Sequence, residues 1–147
     1  MRRLRFTRAH RAFTLVELLI VIIIIAVLAA IVIPKFADSG LRSKEAALKA
    51  DLRLMRNTIE LFHHDTGAWP AAISDLDVTT APATGLDSGG GSKAITAANF
   101  RGPYLHSLEN DPVGGAAFNY DTGSPTVGKV WSSAPGTALD GTNYSDW

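Results

Sequence analysis

The chain of 147 residues contains no cysteine. It can therefore form neither a disulfide framework nor a metal site built from thiolates. Acidic residues are absent from residues 1–12, where five arginines occur, and Glu17 is the single charged residue in the run 13–33. Without residues 1–12, nine basic and 14 acidic residues remain, a net charge of −5. Such a balance gives no indication of nucleic-acid binding.

The apolar run from Phe13 to Ile33 has the length of a membrane span. Its 21 residues would form a helix about 31 Å long, close to the thickness of the hydrocarbon core of a bilayer. The arginines of residues 1–12 would stay on the cytoplasmic side, which sends the C-terminus outward. The remainder of the chain is rich in small and polar residues, so its own core must be small.

Two general interpretations of this N-terminus compete with a more specific one. A secretory signal cut after Ala29 or Ala30 fits less well, because the apolar run exceeds the usual length and contains a carboxylate. The sequence also continues beyond Pro34 into another helix-like segment. A plain single-span anchor fits length and orientation but leaves Glu17 unexplained.

Glu17 is the informative residue of the span. An acid inside an apolar span costs about 2.5–3.5 kcal/mol on insertion scales, so such a residue usually has a partner. Either Glu17 lies near enough to the interface to stay hydrated, or a positive charge lies at the same depth. Cleavage before Phe13 would create that charge, an α-amine four residues from Glu17.

The segment from Ala12 to Val21 reads Ala-Phe-Thr-Leu-Val-Glu-Leu-Leu-Ile-Val and resembles the cleavage and methylation motif of type IV prepilins. The resemblance implies that a prepilin peptidase removes residues 1–12 by cutting between Ala12 and Phe13. It also implies N-methylation of the new Phe13 amine, and pairing of Glu17 with the Phe13 amine of a neighbouring subunit during assembly. The chain departs from the family at Ala12, where the family prefers glycine.

Pro34 follows the span, at a position where the family often has a helix-kinking proline. Proline lacks an N–H and its ring clashes with the preceding turn, so it should kink the helix or locally melt it. Residues 35–64 are predicted to continue as an amphipathic helix with one apolar stripe, formed by Leu41, Leu48, Leu52, Met55, Ile59 and Phe62. Glu45 and Lys49 have the i,i+4 spacing of a helical ion pair.

The predicted fold is α+β, with the type IV pilin-like layout. Residues 13–34 are the transmembrane and assembly half of a long N-terminal helix, and the amphipathic half packs against a small C-terminal antiparallel sheet. Residues 65–101 are predicted to be irregular apart from a short helix over Ala71–Leu76, and they include a flexible loop over Ser88–Ser92.

Residues 102–147 are predicted to form the small β-sheet head and a C-terminal loop. Ala116–Tyr120 and Lys129–Ser132 are the expected strands, because turn residues separate two short β-like segments. Gly102-Pro103-Tyr104-Leu105, followed by Leu108, Asp111-Pro112 and Gly114, resembles a segment of the major pseudopilins of type II secretion systems.

The C-terminal stretch from Asp140 to Trp147 resembles the acidic, glycine-bearing tail of the same family. That family implies calcium in the C-terminal loop, with Asp140 and Asp146 supplying carboxylates. The residues alone also allow a solvated acidic tail with Trp147 packed on the sheet. The absence of cysteine fits a pseudopilin, since many pilins of surface pili fix this loop with a disulfide.

The resemblance implies a structural subunit of a periplasmic pseudopilus for type II secretion, anchored in the inner membrane by a single pass with a periplasmic head. Its implied partners are further copies, other pseudopilins, prepilin peptidase, the inner-membrane assembly platform and lipid. One alternative is a pilin or minor pilin of a surface or DNA-uptake pilus, and another is a single-span protein with a periplasmic binding or enzymatic head. No catalytic role is expected, because the sequence has no nucleophile-elbow motif. A metal site at His63 and His64 is not expected either, because adjacent residues on a helix point in different directions.

Overall fold

The computed structural model describes residues 13–147, except for the side chains of residues 34–38. The predicted leader, residues 1–12 with Ala12, lies outside the described residues. Contacts divide the chain into a first unit that reaches Ser39 and a second unit from Gly40 to Trp147. One helix, α1 (Leu15–Thr66), supplies residues to both units.

The described part of the first unit is helical from Leu15 onward and apolar on every face. Every large hydrophobic side chain between Phe13 and Ile33 is at least 42% exposed. Residues Leu15–Ile33 have a mean hydropathy of 3.4 and are long and apolar enough to cross a membrane, judged by length and composition. Such a helix is typical of an element that lipid or other protein surrounds. The helix assignment continues through Pro34, and the kink expected there stays a prediction.

The core of the second unit forms on one face of α1. Five side chains of the predicted stripe are at most 5% exposed, namely Leu48, Leu52, Met55, Ile59 and Phe62. They pack against apolar residues that follow the helix, among them Leu76, Leu105, Phe118, Val130 and Tyr144. The stripe is therefore confirmed from Leu48 onward, while Leu41 is only half-buried.

Helix α1 ends where the sequence predicts a stop, at Asp65-Thr66-Gly67. Gly67 has a φ of 70°, and its N–H donates to the carbonyl of His63 at 2.8 Å. This left-handed residue after the last turn is a common helix terminator that glycine adopts most readily. The Thr66 hydroxyl donates to the carbonyl of Phe62 at 2.7 Å, and the Lys93 ammonium donates to the carbonyl of Gly67.

Within residues 13–147 the strands form two separate antiparallel pairs instead of the single small sheet that was predicted. β1 (Thr84–Leu86) pairs with β2 (Ser92–Ala94), and β3 (Asn119–Tyr120) pairs with β4 (Val130–Trp131). The second pair lies inside the two predicted strand segments. Short 3-10 helices cover Ile73–Leu76, Ala97–Asn99 and Tyr144–Asp146, and the first confirms the helix expected near residue 73. The α+β class is confirmed.

The β1–β2 hairpin lies within residues 65–101, for which the sequence predicted irregular chain. Its strands have three residues each, too few for an alternating pattern to be visible. The glycine-rich loop forms the turn of this hairpin, where the Asp87 carboxylate accepts hydrogen bonds from the N–H groups of Gly89 and Gly91, each at 2.8 Å. An aspartate that binds the backbone of its own turn stabilises that turn.

A buried aspartate, Asp111, connects two segments of the head, the turn that follows it and the chain after β4. Asp111 is 1% exposed, and its Oδ1 accepts the N–H groups of Val113 and Gly114, each at 2.8 Å. Its Oδ2 accepts the Ser133 N–H at 2.9 Å and the Ser132 hydroxyl. Burial raises the pKa of Asp111, but these hydrogen bonds outweigh it, so the pKa lies below the ordinary value. The segment after Pro112 is thereby fixed to the chain that follows β4.

We expect Asp111→Asn to lower the free energy of unfolding of the second unit by about 2–3 kcal/mol, because an amide nitrogen would face donors that now reach a carboxylate oxygen. A lowered pKa in the folded state means that the contribution of Asp111 is present near neutral pH. It is lost as pH falls below about 4 and through that pKa. Urea unfolding of the full chain in detergent, followed by tryptophan fluorescence at pH 7 and pH 3, measures both effects.

Asp77→Asn is the matched control, since Asp77 is exposed and its carboxylate makes no hydrogen bond within the described residues. This substitution should change the free energy of unfolding by no more than about 0.5 kcal/mol. Equal stability of the two variants at pH 7 would contradict the role assigned to Asp111.

Candidate functional site

The first turn of α1 carries Glu17 and a partner that the sequence reasoning missed. Thr14 directly precedes the helix, and its hydroxyl oxygen accepts the N–H of Glu17 at 3.2 Å. In return, Glu17 Oε2 accepts the N–H of Thr14 at 2.9 Å and its hydroxyl at 2.8 Å. This reciprocal arrangement is a capping box, which satisfies backbone donors that have no partner inside the helix.

The capping box provides a local reason for an acid at this position. A carboxylate in the first turn also interacts favourably with the positive end of the helix dipole. The signal for it was present in the sequence, because Thr14-Leu15-Val16-Glu17 has the Thr-x-x-Glu spacing in front of an apolar run.

The cap leaves part of the Glu17 carboxylate available. Both hydrogen bonds from Thr14 reach Oε2, and no donor from residues 13–147 reaches Oε1. Phe13, four residues before Glu17 in the chain, has a side chain that is 74% exposed. Cleavage between Ala12 and Phe13, methylation of Phe13, and pairing of Glu17 with a neighbouring amine stay predictions.

The segment that begins with Gly102-Pro103-Tyr104-Leu105 attaches the head to the end of α1. The N–H groups of Tyr104 and Leu105 both donate to the carbonyl of Leu76, at 2.8 and 2.9 Å. The Tyr104 hydroxyl donates to Asp65 Oδ2 at 3.1 Å, and its ring lies 5.4 Å from the ring of Phe62. Burial, more than the nearby Asp65 carboxylate, raises the pKa of Tyr104. These residues therefore have a structural role close to the helix terminus.

The C-terminal segment is held by two residues of α1. Glu45 is 8% exposed, and its Oε1 accepts the Leu139 N–H at 2.9 Å and the Tyr144 hydroxyl at 2.8 Å. Lys49, one turn further along, forms a salt bridge with Asp140 at 3.4 Å. The predicted ion pair between Glu45 and Lys49 is wrong, because each side chain binds the C-terminal segment instead.

The two predicted calcium ligands lie in this segment and have partners within the chain. Asp140 Oδ1 accepts the N–H and the hydroxyl of Thr142, at 3.0 and 2.6 Å. Asp146 Oδ2 accepts the side-chain amide of Asn143 at 3.4 Å. Trp147 packs with its ring 5.2 Å from that of Tyr144, in an edge-on orientation.

The two histidines at the end of α1 have separate surroundings. The ring of His63 stacks on Trp69 with 4.0 Å between ring centroids, while His64 is 85% exposed and lies 3.4 Å from Asp65. Over residues 13–147, no three side chains of His, Cys, Asp or Glu are grouped so that they could hold a metal ion.

Comparison with known proteins gives a family model and curated relatives that match parts of the chain. Residues 7–33 match the family model of the prokaryotic N-terminal methylation motif. The chain is 47% identical over 55 residues to the type IV major pilin protein PilA of Myxococcus xanthus, a match that covers 37% of this chain and 25% of the pilin. It is 26% identical over 78 residues to the type II secretion system core protein G of Pseudomonas aeruginosa, covering 53% of this chain and 55% of that protein.

These matches span about a quarter and about half of the length of the two relatives. No solved structure matches the chain. The family model covers the helix start with Thr14 and Glu17 together with the apolar span. In this N-terminal methylation motif the chain is similar to the type IV pilin-like proteins.

Proposed function

We propose that this chain is a structural subunit that polymerises through the N-terminal half of α1. A prepilin peptidase removes residues 1–12, and the new amine of Phe13 is methylated. The observation that carries the proposal is an acid in the first turn of a helix whose large apolar side chains, from Leu15 to Ile33, are all exposed. The role is structural and involves no catalysis.

The exposed apolar surface requires a partner that is itself apolar. Burial of hydrocarbon surface is the main driving force for protein association and for membrane insertion. Lipid covers residues 15–33 before assembly, and neighbouring copies replace that lipid in the filament. The span therefore serves first as an anchor in the inner membrane and then as a subunit interface.

Glu17 determines how neighbouring subunits fit together along the filament. Its Oε2 is occupied by Thr14, whereas Oε1 can accept a donor from outside the subunit. The methylated amine of Phe13 in a neighbouring copy is a cation that can be placed at the same depth. In surroundings of low polarity, such a pair is strongly favoured over two unpaired charges.

We further propose that the filament is a periplasmic pseudopilus that acts in type II secretion, with the second unit in the periplasm. Support comes from the match to a type II secretion core protein, which extends over 78 residues, against 55 for the pilin match. The segment from Gly102 to Gly114 adds to this support. Its partners are further copies, other pseudopilins, the prepilin peptidase and an inner-membrane assembly platform. The competing proposal, a pilin of a surface or DNA-uptake pilus, is favoured by the higher identity of the pilin match.

Glu17→Ala and Glu17→Gln are both expected to insert and to be processed normally, yet to reduce filament yield at least about tenfold. That reduction corresponds to a loss of about 1.4 kcal/mol at each subunit contact. Glutamine retains an oxygen that can accept the Thr14 hydrogen bonds but lacks the charge, so this variant separates capping from charge pairing. Sedimentation of sheared filaments, with immunoblotting of the membrane fraction, measures the yield.

Thr14→Ser is the matched control, because serine keeps the capping hydroxyl and leaves the Glu17 charge in place. Its filament yield should equal that of the unmodified chain. Normal filaments from Glu17→Gln would mean that capping alone accounts for Glu17, and the charge-pair model would fail.

Deletion of the gene is expected to leave secreted enzymes trapped in the periplasm, with surface filaments and DNA uptake unchanged. Activity assays on culture medium and periplasmic extracts, together with electron microscopy of the cells, measure these outcomes. Normal secretion with loss of surface filaments would reject the secretion role and favour the pilus. Normal secretion by a variant in which an unrelated membrane span replaces residues 13–33 would support the membrane-anchored alternative instead.

A further inference from the structure

The residues implied as calcium ligands do not have the donor set that calcium requires. Calcium binds six to eight oxygens, several of them carboxylate oxygens. Asp140 has both oxygens engaged, one by Thr142 and the other by the ammonium of Lys49. A lysine ammonium 3.4 Å from a carboxylate oxygen repels a divalent cation from the same place. Asp140 and Asp146, as arranged here, therefore do not fit this metal.

Lys49 occupies a position between an acid and an aromatic ring. Its Nζ lies 3.4 Å from Asp140 Oδ2 and 3.9 Å from the centroid of the Trp147 ring. A cation over an indole ring is attracted by the negative face of the ring. The same ammonium thus contacts two residues of the C-terminal segment that are seven positions apart.

Thr142 connects these two residues on their other side. Its hydroxyl donates to Asp140 Oδ1 at 2.6 Å and accepts the Trp147 Nε1–H at 2.6 Å. Lys49, Asp140, Thr142 and Trp147 therefore form a closed ring of contacts, called the C-terminal clasp here. Each member contacts two others, so the clasp fixes both ends of residues 140–147 to α1.

Glu45 forms a second attachment one helical turn away from the clasp. It accepts the Leu139 N–H and the Tyr144 hydroxyl, and burial of Tyr144, followed by its bond to Glu45, raises the pKa of that tyrosine to about 12. The hydroxyl therefore stays protonated and remains a donor at neutral pH. Both attachments use only groups of this chain.

We propose that Lys49 is a built-in cation that supplies to the C-terminal segment the positive charge that a bound calcium ion would otherwise bring. The segment is then fixed to α1 without any metal, by the C-terminal clasp. The proposal is independent of which filament the chain forms. It predicts that the stability of the second unit responds to changes at Lys49 and to salt, and does not respond to calcium.

The test uses the full chain in detergent, with thermal unfolding followed by tryptophan fluorescence, because Trp69, Trp131 and Trp147 all lie in the second unit. The Tm should be the same, within about 1 °C, in millimolar calcium chloride and in excess EGTA. Lys49→Met should lower the Tm by about 4 °C, the shift expected for a domain of this size that loses one modest interaction. Lys49→Arg, which keeps a cation that can stack on an indole, should restore most of the loss.

Lys44→Met is the matched control, since Lys44 is an exposed lysine of the same helix with no salt bridge among the described residues. Its Tm should equal that of the unmodified chain. Raising sodium chloride to 1 M should reduce the difference in Tm between the unmodified chain and Lys49→Met, because salt screens an exposed ion pair. If Lys49→Met acted only by changing side-chain packing, salt would leave the difference in Tm unaltered.

Two results would overturn the proposal. The first is a Tm of the unmodified chain that rises by several degrees in calcium and falls in EGTA, which would mean that a metal ion fixes the segment. The second is a Tm of Lys49→Met equal to that of Lys44→Met, which would mean that the clasp adds nothing. Neither result depends on filament assembly, so the proposed function and this inference fail separately.

Discussion

The apolar face of α1 between Leu48 and Phe62 is the surface on which the second unit is built. The residues that follow α1 form only short strands and 3-10 helices, and β3 and β4 have two residues each. Elements this short cannot enclose a core by themselves. The buried residues that follow the helix, among them Leu76, Phe118 and Val130, form one core with its apolar face. Among the buried polar groups, Glu45 binds the C-terminal segment to α1, and Asp111 joins the segment after Pro112 to the chain after β4.

The two units differ in how far the apolar side chains of α1 are covered by the rest of the chain. In the second unit the apolar stripe of α1 from Leu48 to Phe62 is covered by the chain itself, whereas the large apolar side chains from Phe13 to Ile33 remain exposed. A helix of that kind is stable only in lipid or among other helices. The capping box of Thr14 and Glu17 lowers the cost of an acid at the start of such a helix while leaving one oxygen free for a partner. In the proposed function, anchoring and assembly use the same residues at different stages.

Sequence patterns predicted the features whose pattern repeats over many residues. They missed the features that depend on contacts between residues far apart in the chain. The stripe from Leu48 to Phe62 was visible because about four turns of helix repeat the same spacing. The β1–β2 hairpin was not visible in the sequence, because strands of three residues are too short to show an alternating pattern. The partners of Glu45 and Lys49 lie about 90 or more residues away in the chain, and the i,i+4 rule describes only a helix in isolation. Thr14 could have been found from its spacing to Glu17.

The central claim is that Phe13 becomes the first residue of an assembly helix, and mass spectrometry of the N-terminus of the membrane-extracted protein tests it most directly. The account predicts an N-terminal peptide that begins at Phe13 and carries one added methyl group on its amine. An uncut chain that begins at Met1, or an N-terminus near Ile31 as left by a secretory signal peptidase, would contradict it.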